Sequence, residues 1–85
     1  MPTRPRENDP RRVEQWERRR RSVGEAIRRV RTERGLTQES LAEKSGVDRT
    51  LLIAMEYGRR GLLYERLFDI ADALDVPVVE LLRDA

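Results

Sequence analysis

Cysteine and histidine are both absent from this chain. The first absence excludes disulfide staples and thiolate metal sites. The second removes the usual proton shuttle and the commonest metal ligand. Carboxylates are plentiful, with 16 Asp and Glu, but none falls in a constellation with a nucleophile, a base or a metal-ligand spacing. No catalytic residue, metal or cofactor is therefore expected. Long apolar runs are missing too: the longest is Leu51 to Met55, far short of a transmembrane helix. The N-terminus lacks the apolar segment of an ordinary secretory signal. A soluble, cytoplasmic protein with no membrane partner is the expectation. With 85 residues there is room for one small core, which must rest on close helix packing, on dimerisation, or on both.

What the chain does have is arginine, 17 of its 18 basic residues. The net charge of +2 hides an asymmetry: residues 1–34 hold twelve Arg against six acids, while residues 35–85 hold six basic side chains against ten acids. This split suggests a basic arm or face on a more acidic body. Arginine's planar fork matches phosphate and guanine edges bidentately, although an Arg-rich composition also arises from a GC-rich genome.

Residues 1–9 read as a disordered arm, proline-containing, charged and almost without apolar side chains. Asp9 and Pro10 form a helix start, because Asp caps and Pro suits the first helical position. A basic helix is predicted over 10–21, anchored only by Val13 and Trp16. Ser22 and Glu25 then make an S-x-x-E capping box, which predicts a fresh helix start near Val23 and a separate unit over 22–85; the alternative is one continuous helix through Ser22. Val23, Ile27 and Val30 give an amphipathic helix stopping before Gly35. Thr37 caps a helix from Gln38 to about Lys44, and Asp48 caps another that runs to about Tyr57 and stops at Gly58. Leu67, Ile70, Ala71 and Leu74 line one face of a helix from about Leu63, and Val78 to Leu82 form a short last one. No segment alternates as a strand does, so the fold class is all-α.

Only Ser45, Gly46 and Val47 separate the helix opening at Gln38 from the one capped by Asp48. That spacing is the layout of a helix-turn-helix, whose first helix props the second into the major groove of DNA. A turn this short needs small residues where the helices meet, and Ala42 and Gly46 are the expected ones. Val47, Leu52 and Met55 fall inward. Arg49, Thr50, Ile53, Ala54 and Tyr57 remain outward as the candidate reading face.

The segment from Val23 to Leu82 resembles the Cro/phage-repressor (XRE-type) helix-turn-helix family. The resemblance rests on Ile27 and Arg31, on LTQ at Leu36 to Gln38, and on Leu41, Ala42, Gly46, Val47, Glu56 and Gly58. It continues through IADAL at Ile70 to Leu74 and ELL at Glu80 to Leu82. The DRT at Asp48 to Thr50, and the lack of proline after Gly61, resemble restriction–modification controller proteins in particular. The resemblance implies a five-helix domain, here with an extra N-terminal basic helix, acting as a transcriptional regulator on double-stranded DNA. It implies that Gln38 bonds a phosphate or orients a reading side chain, and that Arg49, Thr50, Ile53 and Ala54 occupy base-contacting positions. A fork from Arg49 onto guanine O6 and N7 is worth roughly 1–3 kcal/mol of discrimination. Arg59 and Arg60 would lie along the DNA backbone. Arg31 and Glu56 match a family ion pair that is structural. Homodimerisation is implied through the last helix.

Three features leave readings open. Ile53 and Ala54 are apolar where the family is more often polar. They suit thymine methyl groups, or else the apolar 51–55 face meets a protein partner and the chain is an interaction module. Leu62, Leu63 and Tyr64 form an apolar loop suited to a dimer contact or to packing on Trp16. Arg18 to Arg21 form either a DNA-contacting extension or a solvated face with i,i+4 pairs to Glu14 and Glu17.

Overall fold

The computed structural model describes residues 9–61 and 63–85, and every regular element among them is helical. The elements are α1 (Pro10–Glu33), α2 (Gln38–Ser45), α3 (Arg49–Glu56), α4 (Tyr64–Leu74) and α5 (Val79–Leu82). The predicted arm lies outside the described residues except for Asp9, which caps α1 by accepting from the Arg11 amide at 2.9 Å. Leu62 also lies outside them.

The predicted break at Ser22 does not occur: α1 runs unbroken for 24 residues. A capping box needs its Ser outside the helix, but Ser22 stays helical and its hydroxyl donates to the Asp84 carbonyl at 3.0 Å. Nucleating a second helix is costly, whereas adding turns to one already packed is not. The basic segment is thus the free end of the first helix. Along residues 10–21 only Val13 and Arg20 are even half-buried. Trp16 does not dock on the core; it lies under Arg12, whose guanidinium carbon is 5.0 Å from the ring centre.

The remaining boundaries follow local chemistry. Thr37 accepts from the Ser40 amide at 3.0 Å and Asp48 from the Leu51 amide at 3.2 Å, as their cap positions predict. α1 ends in a Schellman turn, with Gly35 donating to Thr32 and Leu36 to Arg31, both at 3.0 Å. α3 ends the same way through Gly58 and Arg59. α4 turns at Asp75, whose φ of 58° makes it a non-glycine residue in the left-handed region, just before Val76 and Pro77.

Each helix contributes to one core. Val23, Ile27 and Val30 from α1 meet Leu41 and Ala42 from α2, Leu52 and Met55 from α3, the four predicted residues of α4, and Leu81 from α5. Full burial of a Leu, Ile or Met side chain contributes roughly 1.5–3 kcal/mol. α3 is gripped between α1 and α2, which leaves one side of it open.

Candidate nucleic-acid interface

Glu56 fixes how α3 is held. It is 1% exposed, the only buried charged residue among those described. Arg31 grips it with a fork, Nε to Oε2 at 2.6 Å and Nη2 to Oε1 at 3.1 Å. Gln38 donates its amide to Oε1 at 3.0 Å, and Arg31 Nη1 donates to the Leu36 carbonyl at 2.9 Å. One carboxylate therefore ties together α1, the start of α2 and the end of α3. Every buried side-chain N or O among the described residues has a partner. The predicted Arg31–Glu56 pair is present, and Gln38 joins it from the inside. A carboxylate accepts only, so the amide nitrogen must face Glu56. This leaves the Gln38 oxygen and one N–H for any other partner.

A second device sets the closeness of α1 and α3. A Cβ on Gly24 would lie 2.3 Å from the Met55 carbonyl oxygen and 2.6 Å from that of Glu56. Gly24 is therefore a close-approach glycine, a role not assigned from sequence, and Gly58, where a Cβ would lie 2.8 Å from Arg21 Cα, is another. Gly46 serves otherwise than expected. A Cβ there meets nothing within 4 Å, and the glycine is required by its φ of 75°.

The open side of α3 presents Arg49 and Thr50, both exposed, then Ile53 and Ala54, half-buried, and Tyr57, exposed at the helix exit. Arg49 lies 3.8 Å from Glu39 across the turn, and both side chains remain largely in solvent. The first turn of α3 holds no carboxylate, and the helix dipole disfavours a cation there. Helix stability thus gives no reason for Arg49. Leu51 to Met55 do not form one apolar face: Leu52 and Met55 are buried and Leu51 packs on the core. Only Ile53 and Ala54 are left for an outside partner.

Beyond the helix, Arg59 and Arg60 are exposed. The Arg59 guanidinium carbon is 5.1 Å from the Tyr57 ring centre, and that of Arg28 is 5.6 Å from the same ring. Arg20 Nε donates to the Gly58 carbonyl at 3.4 Å. Sequence reasoning passed over Arg28 and Glu39 as well as Gly24. A signal existed: Arg20, Gly24, Arg28 and Arg31 recur at four, four and three residues, a polar stripe beside the apolar one at Val23, Ile27 and Val30.

The family model described as helix-turn-helix matches residues 27–81. The chain is 42% identical over 62 residues to the uncharacterized HTH-type transcriptional regulator y4dJ of Sinorhizobium fredii, covering 73% of this chain and 80% of that one. It is 43% identical over 56 residues to an uncharacterized transcriptional regulator in the ATPase CF(0) region of Rhodospirillum rubrum, covering 66% of this chain and about half (52%) of that protein. Among solved structures it is similar to the restriction–modification controller protein C.AhdI from Aeromonas hydrophila, with a TM-score of 0.71 and 37% identity over 73% of this chain and 94% of that one. It is also similar to the clp gene regulator ClgR from C. glutamicum, with a TM-score of 0.72 and 34% identity over 76% and 84% of the two chains. No helix among the described residues is long and apolar enough to cross a membrane. The chain belongs to the helix-turn-helix family of Cro/phage-repressor type, and is a DNA-binding transcriptional regulator.

Proposed function

We propose that this regulator acts in the cytoplasm as a homodimer on a two-fold-related operator, in the manner of a repressor or controller, with α3 in the major groove. Half-sites then lie about one helical turn apart. The observation that carries the reading is the exposed, dipole-opposed Arg49 beside Thr50, on a helix whose other side is locked by Glu56. Arg49 exchanges its long contact with Glu39 for a guanine edge. Thr50 reaches a base edge or a phosphate, while Ile53 and Ala54 meet thymine methyl groups. Gln38, with its amide turned to Glu56, orients this face and offers its remaining polar atoms to a phosphate. Arg59 and Arg60 follow the backbone. The exposed apolar residues that suit a second copy are Leu63, Tyr64 and Phe68 on and before α4, and Val79 and Leu82 on α5.

The test is selection of bound sequences from a random DNA pool, repeated with Arg49→Ala. One position of the selected motif should relax. A uniform loss of affinity across all sequences would make Arg49 a phosphate contact instead. Absence of DNA binding even at low salt would overturn the regulator reading.

A further inference from the structure

The stripe on α1 does more than lock two helices. Its Arg31 is committed to Glu56, but Arg28 is exposed and directed at Tyr57, where Arg59 also converges. Neither Arg28 nor Arg59 takes part in an ion pair among the described residues. Of the nearby carboxylates, Glu56 already accepts three hydrogen bonds, two from Arg31 and one from Gln38. Glu25 lines the same shallow groove as Arg21, Arg28 and Tyr57. Two guanidiniums within about 6 Å of one ring centre make a positive patch, whose charge the π-electrons of the ring offset only in part. An anion at the patch completes the neutralisation. Phosphate suits the place, since each Arg offers a fork and the Tyr57 hydroxyl offers one further donor.

Location points the same way. The cluster sits at the exit of α3, while Arg49 and Thr50 sit at its start. Eight residues of helix span about 12 Å, close to the ~12 Å width of the major groove. A helix reading bases at one end therefore brings its other end to the wall of the groove, where phosphates lie.

We propose that Arg28, Tyr57 and Arg59 form a clamp for a DNA backbone phosphate, with Arg28 a positioning residue supplied by α1 and Tyr57 a platform that does not read bases. The clamp rests on the DNA-binding reading above. Its test is a salt titration of binding to the selected operator. Arg28→Ala should lower the slope of log K against log salt by about one unit, with an equal loss at every sequence in the pool. Arg28→Lys should restore the slope, and Arg29→Ala, next on the helix and without contact to Tyr57, should leave it unchanged. Tyr57→Leu should weaken binding without altering base preference. An unchanged slope in Arg28→Ala, an equal loss in Arg29→Ala, or a shifted base preference in Tyr57→Leu each overturns the clamp and leaves DNA binding standing. A wild-type protein that binds no DNA overturns both.

Discussion

Glu56 shows how much of this molecule depends on a single side chain. Its carboxylate is out of water and accepts from Arg31 twice and from Gln38 once. Such a network is worth little compared with a well-packed apolar substitute, yet removing one partner strands the other charge. Glu56→Gln keeps the volume and leaves the Arg31 guanidinium, only 13% exposed, without a counter-charge. The expected loss is about 3–5 kcal/mol, read from urea unfolding as a lower midpoint at unchanged slope. Gln38→Ala removes one of the three bonds to a buried carboxylate and should cost about 1.5–3 kcal/mol. A Glu56→Gln protein as stable as wild type would mean that Arg31 is better solvated than its geometry indicates.

Among the elements, two glycines separate two kinds of necessity. Gly46 ends α2 at φ 75° with open space where a Cβ would be, so its constraint is conformational. Gly46→Ala should cost about 1–2 kcal/mol, and Gly46→Asn less, because Asn tolerates the left-handed region. Gly24 lies within a helix, where Ala is intrinsically better by about 1 kcal/mol. Gly24→Ala should nonetheless destabilise by at least about 1–3 kcal/mol, since the new methyl meets backbone carbonyls that cannot rotate away. Thermal unfolding of the three variants checks both statements, and a stabilised Gly24→Ala would refute the close approach. The contrast also marks what could be read from the chain. α2, α3 and their caps at Thr37 and Asp48 were legible because capping and periodicity are local. Gly46 was found for the wrong reason, and Gly24 was passed over, because what a glycine faces depends on an element some thirty residues away. The continuity of α1 was likewise undecidable nearby: Ser22 reads as a cap until its hydroxyl is seen to meet Asp84. On the outer side of α3, the exposure of Arg49 and Thr50 was legible from their place on the helix. Arg28 was not, because its importance comes from Tyr57 on another helix.

At the scale of the whole molecule, acidic body and basic extension are parts of one object 52 Å long and 23 × 18 Å across. The core closes with Leu81 at its edge, yet Leu63, Tyr64, Phe68, Val79 and Leu82 stay in water. Tyr64 and Phe68 stack edge to face, ring centres 6.5 Å apart, as an exposed apolar pair. Phe68→Glu, at a half-exposed position, should leave the fold intact and shift the proposed homodimer to monomer in sedimentation equilibrium, with a loss of cooperativity between half-sites; a wild-type chain that sediments as a monomer would overturn the dimer itself. An unaltered dimer would place the interface elsewhere. The unbroken α1 has a mechanical meaning as well. It is a cantilever, clamped where Val23 to Val30 enter the core and where Arg20 bonds Gly58, and projecting from Arg19 back to Pro10. Thirteen residues separate Gly24 from Arg11, about 20 Å of helix. A tilt of a few degrees at the clamp becomes a displacement of an ångström or more at the tip, so the tightness of the glycine seat sets the aim of the arginines beyond it.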